Sequence, residues 1–101
     1  MTTGFPSPAD DHIEQRLDLN KFIVKHPAAT FFVRAHGDSK ETGIQTGDIL
    51  VVDRSLDPTE KSIVMAVING EFAIKQFSHV HKNNEIIVWG VVTHVIHAFA
   101  V

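Results

Sequence analysis

From Thr30 onward the apolar residues come in short, β-branched runs: "ATFFVRAHG", "GDILVVDRS", "KSIVMAVING", "EFAIKQFSH" and "EIIVWGVVTHVIHAFA". Runs of this kind, punctuated by Gly, Pro, Asn and Asp, predict an all-β domain. Asn69-Gly70 is the sharpest turn signal, because Asn-Gly accepts the positive φ angles of a two-residue hairpin. It predicts that Met65 and Val67 pair with the strand that carries Phe72 and Ile74. "GIQTGD" and "LDPTE" supply two further turns. Alternation along "EFAIKQF" puts Ala73, Lys75 and Phe77 on one face and Phe72, Ile74 and Gln76 on the other.

The segment before Thr30 lacks this pattern. Residues 1–12 hold Gly4, Pro6, Ser7, Pro8, Asp10 and Asp11, with little apolar anchoring after Phe5, and predict an extended arm in front of a β domain over 13–101. Ile13 and Leu17, with Asn20 or Lys21, are spaced for a short helix over Asp11 to Leu19, although the same charged positions suit an extended strand nearly as well.

A chain of 101 residues holds one modest core and hence one site. No apolar run has the length of a membrane helix, and the acidic, proline-containing N-terminus lacks the features of a secretory signal, so a cytoplasmic protein without membrane contact is expected. With no cysteine, disulfides, thiol nucleophiles and cysteine metal cages are excluded. A net charge of −3, with nine scattered Lys and Arg residues, argues against direct, sequence-specific nucleic-acid binding. Any role near DNA would run through a protein partner.

The candidate chemistry is a serine and an amine. Ser39 sits in a glycine-bounded turn, and a serine hydroxyl attacks only when a base removes its proton. Of the seven histidines, His94 and His97 lie in the apolar last run and His79 and His81 in a polar loop. A lysine can replace histidine when its surroundings favour the neutral amine, and Lys75, between apolar residues of a hairpin strand, is the natural candidate. From pattern alone each has a plainer reading: Lys75 as a surface lysine of an edge strand, Ser39 as a turn residue.

Four stretches in order, "GFPSPADDHIEQRLDLNKFIVKHPAATFFVRAHGDS", "GIQTGDILVVDRSL", "INGEFAIKQF" and "GVVTHVIHA", resemble the UmuD branch of the LexA/UmuD family of self-cleaving Ser-Lys peptidases, and most closely its processed form, UmuD′. The resemblance implies Ser39 as nucleophile and Lys75 as general base. It also implies a small, strongly curved all-β domain that forms a homodimer and needs no cofactor. The function implied is that of an accessory subunit to a UmuC-type Y-family polymerase in SOS translesion synthesis. Contact with the RecA filament and mixed dimers with a host UmuD are implied too. The alternative is an active peptidase that cuts a LexA- or UmuD-like partner in trans.

Three departures qualify this. Gly-Asp-Ser-Met of the family becomes Gly37-Asp38-Ser39-Lys40, with one residue fewer before Gly43. Between Lys75 and "WGVV" the chain is shorter by roughly fifteen to twenty residues, about one strand with its turns. Only Met1, Thr2 and Thr3 precede Gly4, where relatives carry a removable extension, so a constitutively processed, phage- or plasmid-type form is expected.

Other side chains have simpler readings. His79 and His81, with His36, His94 and His97, suggest a metal, but no carboxylate stands at ligand spacing. Asp38 and Asp48 follow glycines and are expected to cap local N–H groups. Asp53 and Arg54 read as a strand end meeting water, and Trp89 as core.

Overall fold

The computed structural model describes residues 16–80 and 86–100; the expected arm, the first half of the expected helix and His81 lie outside them. Five strands form one antiparallel sheet in the order β1-β2-β5-β3-β4: β1 is Thr30–Arg34, β2 Ile49–Asp53, β3 Ile63–Ile68, β4 Glu71–Gln76 and β5 Ile86–Ile96. Each falls within one of the five apolar runs. The Asn69-Gly70 hairpin forms as its sequence requires, with φ of 50° and 86° and Ile68 paired to Glu71.

Of the expected helix, residues 16–18 are not helical; the described helix runs over Leu19–Ile23 (α1), because the Asp18 carboxylate accepts the backbone N–H groups of Asn20 and Lys21 at 3.0 and 3.4 Å and so fixes the first turn after itself. Arg16 just before it has φ of 28°, which no right-handed helix accommodates.

The sheet divides its apolar residues between two faces. Ala35, Ile44, Leu50, Val52 and Met65 form one cluster, against which Val33, Ile74, Trp89 and Val92 pack. Val64, Ala66 and Val91 form the other, covered by Ile68, Phe77, Val80 and Val88. Strand alternation explains the split: Leu50 and Val52 face one way and Val51 the other, and all three are essentially inaccessible. β2, with four of its five residues buried, is a continuous apolar run for that reason.

Strong curvature of the sheet, expected from the family resemblance, is not found. The outer strands β1 and β4 do not pair with one another, so the sheet stays open. Curling a sheet strongly takes repeated bulges or closure of its edges. Here the register shifts at two places, between Val51 and Val52 and between Met65 and Ala66, each opposite β5.

The end of β2 also differs from expectation. Asp53 is 4% exposed rather than in water. Its carboxylate accepts the Ser55 hydroxyl at 2.6 Å and the Ser55 N–H at 2.8 Å, and pairs with His26 Nδ1 at 2.6 Å. Burial works to raise this carboxyl's pKa, but the bonds from Ser55 and His26 outweigh it and hold the group below its ordinary value. Arg54 lies over the half-buried Trp89 ring, 4.3 Å from its centroid, and its Nε donates to the Trp89 carbonyl.

Candidate active-site groove

The loop between β1 and β2 carries Ser39, and three devices set its shape. Gly37, Gly43 and Gly47 take φ of 102°, 79° and 93°, values that favour glycine. Asp38 accepts the Thr46 N–H at 2.8 Å and its hydroxyl at 3.0 Å, and these bonds, the backbone one foremost, lower its pKa. Asp48, at the base of the loop, accepts the Gln45 N–H at 2.9 Å and pairs with His97 Nδ1 at 2.5 Å; the same two bonds lower its pKa. Both aspartates thus cap local N–H groups, as their positions after glycine predicted. Ile44, 4% exposed, pins the loop to the first cluster.

Inside this frame Ser39 is half-buried. Its N–H donates to the Ile44 carbonyl at 2.8 Å and its carbonyl accepts the Gly43 N–H at 2.9 Å. Its hydroxyl oxygen accepts the Thr42 N–H at 3.4 Å. The Ser39 N–H is therefore taken by the turn itself and is not presented to an oxyanion in this arrangement.

An open groove of about 610 Å³ runs from this loop to β4, within the usual size of a ligand cleft. Val33, Leu50, Met65 and Ile74 line it, and Ser39 and Lys75 both border it. The two are not hydrogen-bonded to one another. The register explains this: Lys75 lies opposite Val64 of the second cluster, whereas Ile74 lies opposite Met65 of the first, and residues directly opposite share a face. Lys75 leaves the strand on the side away from the groove's apolar lining, at an outer edge that pairs only with β3. Its amine would have to come round that edge to meet Ser39.

Two further residues of the site were not singled out together from sequence. Glu41, two residues after Ser39, pairs through Oε1 with His79 Nδ1. His79 belongs to the 3-10 turn Phe77–His79 that follows β4. The His79 bond is the main reason that the Glu41 carboxyl titrates below its ordinary range; burial opposes it, and the charges of His79 and Lys75 and the Gln76 N–H add to it. Thirty-eight residues separate the pair, so no local spacing could signal it. The histidines reach different partners: His79 goes to Glu41, His97 to Asp48, and His94 lies tilted against Phe22 with centroids 6.2 Å apart. Among the described residues no three metal-binding side chains come together, and no helix is long and apolar enough to cross a membrane.

The Peptidase S24-like family matches residues 1–88. Protein ImpA of Escherichia coli is 46% identical over 112 residues, taking in 93% of this chain and 77% of that protein. Protein MucA of Salmonella typhimurium is 41% identical over 113 residues, with the same two shares. A LexA repressor, from Shewanella woodyi, is 33% identical over 94 residues, 84% of this chain and 44% of its own. The ImpA match spans 112 positions but only the ~94 residues that make up 93% of 101, a shortfall of about 18 and hence of about one strand with its turns. The chain therefore belongs to the Peptidase S24-like family, the LexA/UmuD group of SOS-response serine peptidases.

Proposed function

We propose that this chain is a UmuD′-like accessory subunit of an error-prone, UmuC-type lesion-bypass polymerase, and that Ser39 and Lys75 are its peptidase nucleophile and general base. In this reading residues 1–12 form an arm on a β domain of residues 13–101. The domain works as a homodimer, meets the RecA filament, and exchanges into mixed dimers with a host relative. One observation carries the reading. In a chain of this SOS-response family, the serine of Gly37-Asp38-Ser39 and the lysine of β4 border a single groove.

The chemistry would run in balanced steps. Neutral Lys75 takes the Ser39 proton as the alkoxide adds to a peptide carbonyl; the C–N bond breaks, and the proton passes from Lys75 to the leaving amine. Water then hydrolyses the acyl-enzyme through the same base. Because Ser39 is bonded within its own turn and Lys75 lies round the edge, the groove as it stands suits an accessory whose dyad is assembled on demand. Catalytic hydrogen bonds commonly tighten only when substrate is bound.

The test is lesion-bypass complementation in cells lacking their own UmuD, with a UmuC-type polymerase supplied and Ser39→Ala compared with the native chain at equal expression. Rescue by both is expected and supports an accessory that does not need its dyad. Rescue by the native chain alone would favour the second reading, a peptidase acting in trans. Rescue by neither would overturn the accessory role.

A further inference from the structure

Two acid–histidine pairs among the described residues join the β1–β2 loop, which carries Ser39, to other elements: Glu41 with His79 and Asp48 with His97. They differ in burial. The Glu41 side chain is 29% exposed and that of Asp48 only 4%. The second tie therefore ends on a carboxylate that water hardly reaches and that depends on protein donors.

Strand pairing makes this contact. Ile49, the first residue of β2, lies opposite Ile96, the last of β5, so the residues just beyond the ladder, Asp48 and His97, are brought side by side. A carboxylate can only accept, so His97 Nδ1, 2.5 Å from Asp48 Oδ1, carries the hydrogen.

From Asp48 a short chain of bonds leads to the serine. Its Oδ2 accepts the Gln45 N–H at 2.9 Å, and its own N–H donates to the Gln45 carbonyl at 3.0 Å. Next to Gln45 is Ile44, whose carbonyl accepts the Ser39 N–H at 2.8 Å. The Asp38–Thr46 bonds shape the loop from within and reach no other element, and Arg34 donates to the Gly47 carbonyl at 3.0 Å. Among the described residues His97 is the only side chain that bonds the Asp48 carboxylate. We propose that His97 is a positioning residue for the serine nucleophile, fastening the turn that holds Ser39 to the end of β5 through Asp48 and Gln45.

This role rests on the reading of Ser39 as the nucleophile, and it is specific to one bond. If the imidazole served only to fill space, an apolar side chain would replace it. A positioning role through Nδ1 needs a donor at that place. Asparagine offers one, because its amide nitrogen stands as many bonds from the Cα as Nδ1 does; leucine has nearly the same outline and no donor.

The experiment uses the full chain with His97→Leu and His97→Asn, and His97→Ala as the donor-free form should His97→Leu fail to fold. Hydrogen exchange of the Ser39, Gly43 and Gln45 amides is followed by NMR, with amides of β3 and β4 as references. Ser39 is labelled in parallel with a fluorophosphonate, with Ser39→Ala as the blank. In His97→Leu the three loop amides are expected to exchange about five- to fiftyfold faster, between the effects of an exposed ion pair and of a hydrogen bond to a charged group. The reference amides should not change, and Ser39 labelling should slow by about tenfold or more, because a displaced nucleophile loses its alignment. His97→Asn should restore both. Loop exchange that is unchanged in His97→Leu, or that rises equally across the sheet, overturns the proposal. So does His97→Asn behaving like His97→Leu, or labelling that holds or quickens while the loop loosens. If His97→Leu loosens the loop and His97→Asn restores it while Ser39 stays unlabelled even in the native chain, His97 fixes the turn and the nucleophile reading fails.

Discussion

The two sides of the groove are built to different standards. On the serine side a single loop uses three positive-φ glycines, two capping aspartates and a buried isoleucine to fix one residue. On the lysine side a six-residue outer strand holds Lys75 through its pairing with β3 alone, with no hydrogen bond or ion pair on the amine among the described residues. The difference teaches that a site can be rigid in its nucleophile and loose in its base. Such a site is governed by whatever acts on the loose partner.

If that contrast is right, the most damaging change should be on the serine side. Ile44→Ala empties a buried position in the first cluster beneath the Ser39 turn. Loss of a buried isoleucine side chain costs about 2–5 kcal/mol, and denaturant titration should show it. A smaller loss is expected from Gly43→Ala. The space is open around that glycine, but its φ of 79° is strained for any residue with a side chain, at about 1–2 kcal/mol. Fluorophosphonate labelling of Ser39 should change with it, because the Gly43 N–H closes the turn on the Ser39 carbonyl.

The legibility of these two sides in the sequence follows the range of their interactions. The strands and the Asn69-Gly70 hairpin were readable, because alternation and turn chemistry act between near neighbours. The capping roles of Asp38 and Asp48 were readable for the same reason, since their partners Thr46 and Gln45 lie eight and three residues away. The burial of Asp53 was not, because it follows from the pairing of β2 with β1 and β5, and its His26 partner lies twenty-seven residues before it. The Glu41–His79 pair escaped likewise, and the open form of the sheet depends on which strands fail to meet. Ser39 and Lys75 were identified by resemblance, and from periodicity alone would have stayed a turn serine and an edge lysine.

Acid should sharpen the contrast further. Asp38, Glu41 and Asp48, in the serine loop or at its base, all titrate below their ordinary values, as does Asp53 at the other end of β2. A carboxyl whose pKa is lower folded than unfolded stabilises the fold above its unfolded value, and that contribution is lost as the pH falls through the folded value. The contribution of these carboxyls should therefore be lost as the pH falls below about 4, the ordinary carboxyl range. Replacing Asp48 by Asn should lower stability at neutral pH and make the acid decline shallower, as read from thermal melts across that range. A decline unchanged in Asp48→Asn would mean that the base of the serine loop is not held by its charge.

The smallest effect on stability is expected where the catalytic consequence is largest. Lys75→Ala removes an amine that no hydrogen bond or ion pair holds among the described residues, so no buried group there is left unsatisfied by its loss. Its stability should stay within about 0.5 kcal/mol of the native chain, the usual range for a substitution outside the core. Fluorophosphonate labelling of Ser39 should nevertheless vanish, because among the described residues the remaining hydroxyl has only the Thr42 N–H against its oxygen, and a donor cannot act as a base. A stability loss several times larger would show that Lys75 is a structural residue of the sheet edge. The looseness assigned to the lysine side would then be wrong.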